Sequence, residues 1–485
     1  MKTQFDERNL TMVMDLYEMT MANGYFVDGD KEQMAAFDVF FRTNPDGAGF
    51  SIFAGLEQVV EFLENMHFDA EDIGYFRSLN LFDEGFLDYL EEFRFKGDIY
   101  AFGEGTVMYP YEPVMTVVAP IIDAQLIETA VLAQINHQSL VATKARRIVK
   151  SAKGRAVTDF GARRAHNMDA AVYGARAAYI GGAAGTATVL AGQMFGIPVG
   201  GTAAHSWIMK FPDELTAFRT YARLYPDNCI LLADTYSTLG SGVPNAIKVF
   251  QEMQKEGIPF TVYGIRLDSG DLAYDSKHAR KMLDEAGFQT ARIVVSNGLD
   301  EYTISSILEQ GGCIDSFGVG ERLITAKSDP VFGAVYKLAA IEENGQYIPK
   351  IKISNTEAKI TNPGLKDVYR IYDASGHAVA DLIAKRGETI DLGHPFHYVD
   401  PQMPWKNRKF DGCSARPLQE LVMKDGKRTQ EPKSLRQLQD FVEQQLSGEV
   451  WEEEQRFENP HLHFLDMTPD YYELKMSMLH ENSVE

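Results

Sequence analysis

The sequence predicts an α/β protein built on parallel strands, and three observations carry that prediction. Short apolar runs recur through the middle of the chain, at residues 230–233, 260–265, 293–295 and 314–319. Each stops on polar or glycine residues: Asp234, then Arg266 and Asp268, then Ser296, Asn297 and Gly298, then Gly320. Between consecutive runs lie residues spaced for one helical face: Ala246, Ile247, Phe250 and Met253; Ala279, Met282, Leu283 and Ala286; Ile304, Ile307 and Leu308. Short apolar strands alternating with helices form βα units with parallel strands covered on both faces. An open doubly wound sheet and a barrel both satisfy this pattern. In either, chemistry collects at the carboxyl ends of the strands, where Asp234, Arg266, Asp268, Asn297, Gly318 and Gly320 fall. The bland alternative is that such residues cap helices and shape turns. It suits any one strand end better than all four together.

The flanking segments follow other patterns. Residues 15–25 predict a short helix and 35–41 a strand ending at Arg42. Residues 56–66 and 86–93 predict amphipathic helices, 98–118 predict strands broken by turns, and the Ala-rich stretch 123–152 predicts a long helical region. Beyond Lys337 the pattern turns irregular, with antiparallel strands expected at 351–353 and 368–372 and a short helix near 471–479.

Composition limits the partners. Lys plus Arg number 47 and Asp plus Glu 69, a formal charge of −22. So acidic a chain is a poor general binder of nucleic acid or anionic membrane, and an anionic substrate would need positive charge concentrated locally. Cys229, Cys313 and Cys413 are far apart and make neither a disulfide framework nor a zinc spacing. The first residues lack an apolar signal core, and the longest apolar stretch, 114–122, is too short to span a bilayer. These features predict a cytoplasmic protein.

Three constellations could carry chemistry. Between Lys144 and Arg164 stand Lys144, Arg146, Arg147, Lys150, Lys153, Arg155, Arg163 and Arg164, opposed only by Asp159. They could hold phosphates or carboxylates through forked, charge-assisted hydrogen bonds, or form a solvated helix face. Arg163 and Arg164, in the turn-like DFGARRAH, lean towards function. His205, in GGTAAHSWIM, sits where small residues give way to an apolar run, which predicts a strand end or tight turn. RLDSGD (266–271) and FGVGERL (317–323) are strand-to-helix turns whose backbone N–H groups could cradle a phosphate, although glycine in a turn needs no ligand to explain it. No P-loop, strict GxGxxG, HExxH or GxSxG occurs. Asp391, His394, His397 and Asp400, and the pair His461 and His463, lack a second cluster at metal-ligand spacing.

Eight segments in order resemble the nicotinate phosphoribosyltransferase family: MDLYEMTMA (14–22), FDVFFR (37–42), EGTVMYPYEPVM (104–115), TDFGARRAH (158–166), GTAAHSW (201–207), RLDSGDL (266–272), VSNGLDEY (295–302) and FGVGERL (317–323). The resemblance covers nearly the whole chain and weakens beyond residue 401. It implies the type II phosphoribosyltransferase fold, an irregular α/β barrel plus an α+β domain and a C-terminal extension. The implied division is 1–122 (α+β domain), 123–335 (catalytic barrel), 336–400 (return segment) and 401–485 (extension). The implied reaction joins nicotinate to 5-phosphoribosyl 1-pyrophosphate with ATP as co-substrate, and serves NAD salvage.

The resemblance also implies roles. His205 matches the family's phosphorylated histidine, a nucleophile towards the γ-phosphate. Phe160 would stack on the pyridine ring, with Tyr17 of a second subunit covering the other face, so that a homodimer shares its sites. Arg163, Arg164 or Arg266 would pair with the nicotinate carboxylate or the ribose phosphate. Asp234 and Asp268 would hold Mg²⁺ or the ribose hydroxyls and stabilise the oxocarbenium-like sugar. Asn297, Gly298, Gly318 and Gly320 would hold the 5′-phosphate, and Thr202, Ser269 and Gly270 join the substrate-binding set. Ala187 stands where the related nicotinamide enzyme carries an aspartate after Gly-Thr, and its lack of charge favours a carboxylate substrate.

The nicotinamide and quinolinate enzymes are the nearest alternatives. Length and the His205 segment disfavour the quinolinate enzyme. A type I phosphoribosyltransferase is disfavoured because only one acid follows residues 230–233. An inactive ligand-sensing homologue would have no use for His205, Asp234, Asp268 and Arg266 together.

Overall fold

The computed structural model describes residues 8–392, 396–401, 405 and 408–482. Among them no helix is long and apolar enough to cross a membrane. The chain divides into two compact units, one of residues 141–330 and the other of the described residues on either side.

The flanking unit holds a seven-stranded antiparallel sheet in the order Gln346–Pro349, Val335–Glu343, Met34–Phe40, Met115–Pro120, Asp98–Phe102, Gln419–Lys424 and Lys427–Arg428. Met34–Phe40 lies centrally and is buried after its first residue, as its apolar sequence requires. The helix Leu16–Asp28 opens on a capping box, in which the Glu18 carboxylate accepts from the Asp15 N–H at 3.3 Å. The expected strand at 351–353 does not form. Its neighbour strand Gln346–Pro349 stops at a proline, and Lys350 N–H and Lys352 N–H instead donate to the Ala339 carbonyl at 2.8 Å and the Thr361 hydroxyl at 2.9 Å. The helical region 123–152 is broken, with Ile121–Gln125 preceding Glu128–Ser151.

A second, four-stranded sheet runs Ser414–Pro417, Lys366–Tyr372, Ala378–Lys385 and Leu465–Met467. Arg370 and Asp381 face each other across its central pair and are fully buried. The guanidinium forks onto both carboxylate oxygens, at 2.9 and 2.7 Å, and also donates to the Val107 carbonyl at 2.9 Å. Beside them the Tyr109 hydroxyl donates to Glu454 at 2.7 Å, His463 Nδ1 meets the same carboxylate at 3.0 Å, and the Tyr109 and His463 rings stack 3.8 Å apart. Burial pushes the Glu112 carboxyl up. Burial would raise Asp381 as well, but the Arg370 charge, the Glu112 hydrogen bond and the His463 ring together outweigh it and hold Asp381 down. Breaking a buried pair leaves an uncompensated charge, which costs about 3 to 5 kcal/mol. Arg370→Leu should lower the denaturation midpoint by that equivalent, and Arg370→Leu/Asp381→Leu should recover most of it in the same urea titration.

The unit of residues 141–330 is the parallel α/β body. Its sheet runs Gly185–Thr186, Ala156–Asp159, Ser316–Val319, Arg292–Ser296, Val262–Leu267 and Asn228–Leu232, every pairing parallel. It curls as a half-barrel, continued at the Thr186 edge by an isolated parallel bridge to Val199. The helices Val243–Glu256, Leu272–Glu285 and Glu301–Glu309 bury Phe250 and Met253, Ala279 and Leu283, and Ile304 and Ile307, as their spacing predicts. Asp271 and Asp300 cap the last two, accepting from Tyr274 N–H at 2.9 Å and Thr303 N–H at 2.8 Å.

Candidate active site

Parallel strands place all their carboxyl ends at one edge of the sheet, and the site forms there. Strand Val262–Leu267 carries Arg266, with Asp268 just beyond. The Arg266 guanidinium donates to Asp268 Oδ1 at 2.9 Å, Ser296 Oγ at 2.9 Å, Thr202 Oγ1 at 3.0 Å and the Ala203 carbonyl at 3.3 Å. Ser296 also donates to Asp268. Burial would raise the Asp268 carboxyl, but Ser296, Arg266 and the nearby His205 ring outweigh it and hold it below its ordinary value.

Asp234 follows strand Asn228–Leu232. Its Oδ2 accepts from Asp268 N–H at 2.8 Å and Ser269 Oγ at 2.6 Å, while Oδ1 has no hydrogen-bond partner among the described residues. His205 opens the short helix His205–Lys210 rather than ending a strand or sitting in a turn, because Trp207 N–H closes a first turn onto the Ala204 carbonyl at 2.9 Å. Its Nδ1 lies 3.2 Å from Thr235 Oγ1 and its Nε2 3.8 Å from Asp268 Oδ2. Imidazole, both carboxylates and the guanidinium thus form one connected cluster.

Beside it opens a cavity of ≈ 250 Å³ lined by Phe160, Arg163, Arg164, Arg266, Asp268, Ser296, Asn297, Gly298, Leu299, Gly318, Gly320, Glu321, Arg322 and Lys327. His205 and Asp234 adjoin this lining through Asp268. Five cationic side chains against two acidic ones give the locally positive pocket that an acidic protein needs for an anion. Arg163 and Arg164 are exposed in the 3-10 turn Ala162–Arg164. Asn297 and Gly298 have φ of 82° and 63°, so the chain turns with successive left-handed residues. Gly318 owes its identity to Phe160, since a Cβ there would stand 2.4 Å from the phenyl ring. Tyr17 stands on the helix Leu16–Asp28 of the flanking unit, 43% exposed.

Sequence reasoning missed Arg322 and Lys327 as lining residues, Thr235 as the partner of His205, and Ser296 as the bridge between Arg266 and Asp268. Arg322 and Lys327 sit beyond Gly320 among further charges and carried no distinguishing pattern. Two residues of the basic run have another use: Lys144 and Arg147 are buried against Glu301, each at 2.9 Å. Of the residues weighed for metal binding, His394 and the side chain of His397 lie outside the described residues, and His463 belongs to the buried cluster with Glu454.

These features define an α/β protein whose site gathers a histidine, two aspartates and an arginine at the carboxyl ends of parallel strands. Family models described as the nicotinate phosphoribosyltransferase N-terminal domain, family and C-terminal domain match residues 12–136, 155–368 and 365–475. The chain is 44% identical over 478 residues to a nicotinate phosphoribosyltransferase of Bacillus subtilis (strain 168), covering 98% of this chain and 96% of that protein. A nicotinate phosphoribosyltransferase of Dictyostelium discoideum is 35% identical, covering 95% and 87%. The crystal structure of human nicotinic acid phosphoribosyltransferase superposes with a TM-score of 0.84 at 27% identity, covering 96% of this chain and all of that one. The chain belongs to the nicotinate phosphoribosyltransferase family.

Proposed function

We propose that the protein forms nicotinate mononucleotide and pyrophosphate from nicotinate and 5-phosphoribosyl 1-pyrophosphate, coupled to ATP hydrolysis through a phosphohistidine at His205, in NAD salvage. The observation that carries this reading is the single cluster joining His205, Asp268, Arg266 and Asp234. In this reading Phe160 stacks on the pyridine, and the exposed Arg163 and Arg164 hold anionic substrate groups. Arg266 orients Asp268, because most of its donors are already engaged within the protein. The pyridine nitrogen bonds to C1′ as the C1′–O bond to pyrophosphate breaks, and pyrophosphate leaves with the electron pair. Asp268 faces the positive charge that develops on the sugar. The turn at Asn297 and Gly298, with Gly320, offers backbone N–H groups to the 5′-phosphate.

His205 takes the γ-phosphoryl group of ATP, ADP departs, and the phosphohistidine is later hydrolysed by water. Asp234, through the Oδ1 left without a partner among the described residues, and Asp268 beside it would hold a Mg²⁺ ion. Bound Mg²⁺ would neutralise pyrophosphate charge.

The same reading includes a cytoplasmic homodimer with Tyr17 acting across subunits. It also takes the irregular barrel of residues 123–335, the α+β domain of 1–122 with 336–400, and the extension 401–485 as the domain plan. The test is a product assay offering nicotinate, nicotinamide and quinolinate in parallel with the phosphoribosyl donor, with and without ATP. Nicotinate mononucleotide, raised by ATP, is the expected product; a nicotinamide or quinolinate product, or none, would replace the reading. Ala187 is exposed just past strand Gly185–Thr186. Ala187→Asp should raise the nicotinate KM at least about tenfold through charge repulsion, read in the same assay.

A further inference from the structure

Asp159 ends the strand Ala156–Asp159 with its side chain fully buried. Burying a carboxylate is costly unless its oxygens are satisfied. Here Oδ1 accepts from Gly161 N–H at 2.8 Å and Oδ2 from the Thr186 hydroxyl at 2.7 Å. The same hydroxyl, also fully buried, accepts from Thr188 N–H at 3.0 Å. Backbone bonds reinforce the join: Ala187 N–H donates to the Asp159 carbonyl and Phe160 N–H to the Val319 carbonyl, each at 2.8 Å.

One carboxylate therefore ties together the turn that carries Phe160 and the strand end that carries Ala187. The Phe160 ring can lie on the sheet because Gly318 has no Cβ, and the Arg266 guanidinium stands 5.5 Å from the ring centroid. A well-packed apolar pair would suit a dry strand end at least as well for stability alone. What the polar pair adds is direction, since its hydrogen bonds fix the angle between the two segments.

We propose that Asp159 and Thr186 are positioning residues for the pyridine substrate, a buried bridge that holds the stacking ring of Phe160 in register with the specificity position Ala187. The proposal rests on the reading of Phe160 and Ala187 given above. Three full-length variants test it: Thr186→Val, which removes the hydroxyl; Thr186→Ser, which keeps it; and Asp159→Asn, which keeps the shape. Thr186→Val should raise the KM for nicotinate about tenfold while that for the phosphoribosyl donor stays within about twofold, and Thr186→Ser should restore it. Asp159→Asn should fall between them. An unchanged nicotinate KM in Thr186→Val, or equal rises in both KM values, overturns the proposal.

A ligand-free readout separates the bridge from the substrate reading. With 4-fluorophenylalanine at position 160, the ¹⁹F resonance should shift or broaden in Thr186→Val and return in Thr186→Ser. Identical resonances in all three proteins overturn the bridge. A Phe160→Ala protein whose nicotinate KM equals that of the parent would instead reject the reading of the base site.

Discussion

A His205→Ala protein should take up no acid-labile, base-stable phosphate from γ-labelled ATP, while still forming nicotinate mononucleotide slowly. Both halves follow from the proposed role of His205. Among the described residues, the ring is the one imidazole that meets Asp268, and it reaches Asp234 only through that residue, with Nδ1 beside Thr235 Oγ1 and Nε2 towards Asp268. The cavity with Phe160, Arg163, Arg164 and Asn297 does not use the imidazole in its lining. In the proposed mechanism, removing the ring takes away the phosphoryl acceptor and leaves the residues proposed to hold the sugar and pyridine in place. The rate with ATP should drop to the rate without it. Phosphate incorporation equal to that of the parent, or undiminished stimulation by ATP, would remove His205 from the mechanism.

Asp268→Asn should cost the reaction about 10² to 10³ in kcat, the scale of deleting one preorganised electrostatic group. Asparagine keeps the shape and an acceptor for Arg266 and Ser296, so a melting curve should change little. What disappears is the negative charge that the proposed mechanism sets against the sugar as pyrophosphate departs. Arg266→Lys should follow the same direction less steeply, since a lysine cannot reproduce the fork that reaches Asp268, Ser296, Thr202 and the Ala203 carbonyl together. Steady-state kinetics with saturating substrates distinguishes this loss from weakened binding. A full kcat in Asp268→Asn would exclude the carboxylate from transition-state stabilisation.

The four parallel strands with apolar runs were legible because burial on both faces leaves an uninterrupted signal that ends on polar residues. Two further strands of the same sheet, Ala156–Asp159 and Gly185–Thr186, were not. They are short, carry Thr, Asp and Gly, and offer no run of apolar residues, since only Val157 is a buried aliphatic among them. The site was legible where residue type alone points to chemistry, as with Asp234, Asp268 and Arg266. It was opaque where tertiary contact decides the role. Lys144 and Arg147 look like a basic face in sequence, yet Glu301, more than 150 positions later, draws both into the interior. Gly318 looks like a phosphate loop, yet its missing Cβ is matched to the Phe160 ring.

The division of the chain also dictates an order of assembly. The sheet around Met34–Phe40 needs strands at Val335–Glu343 and Gln419–Lys424, and the Tyr109 cluster needs Glu454 and His463. Residues 141–330 contain every strand of their own sheet. On the ribosome the inserted body can close while the amino-terminal half-sheet still waits for partners made last. Released chains truncated at residue 330 should thus carry a protease-resistant centre and a cleavable leading segment.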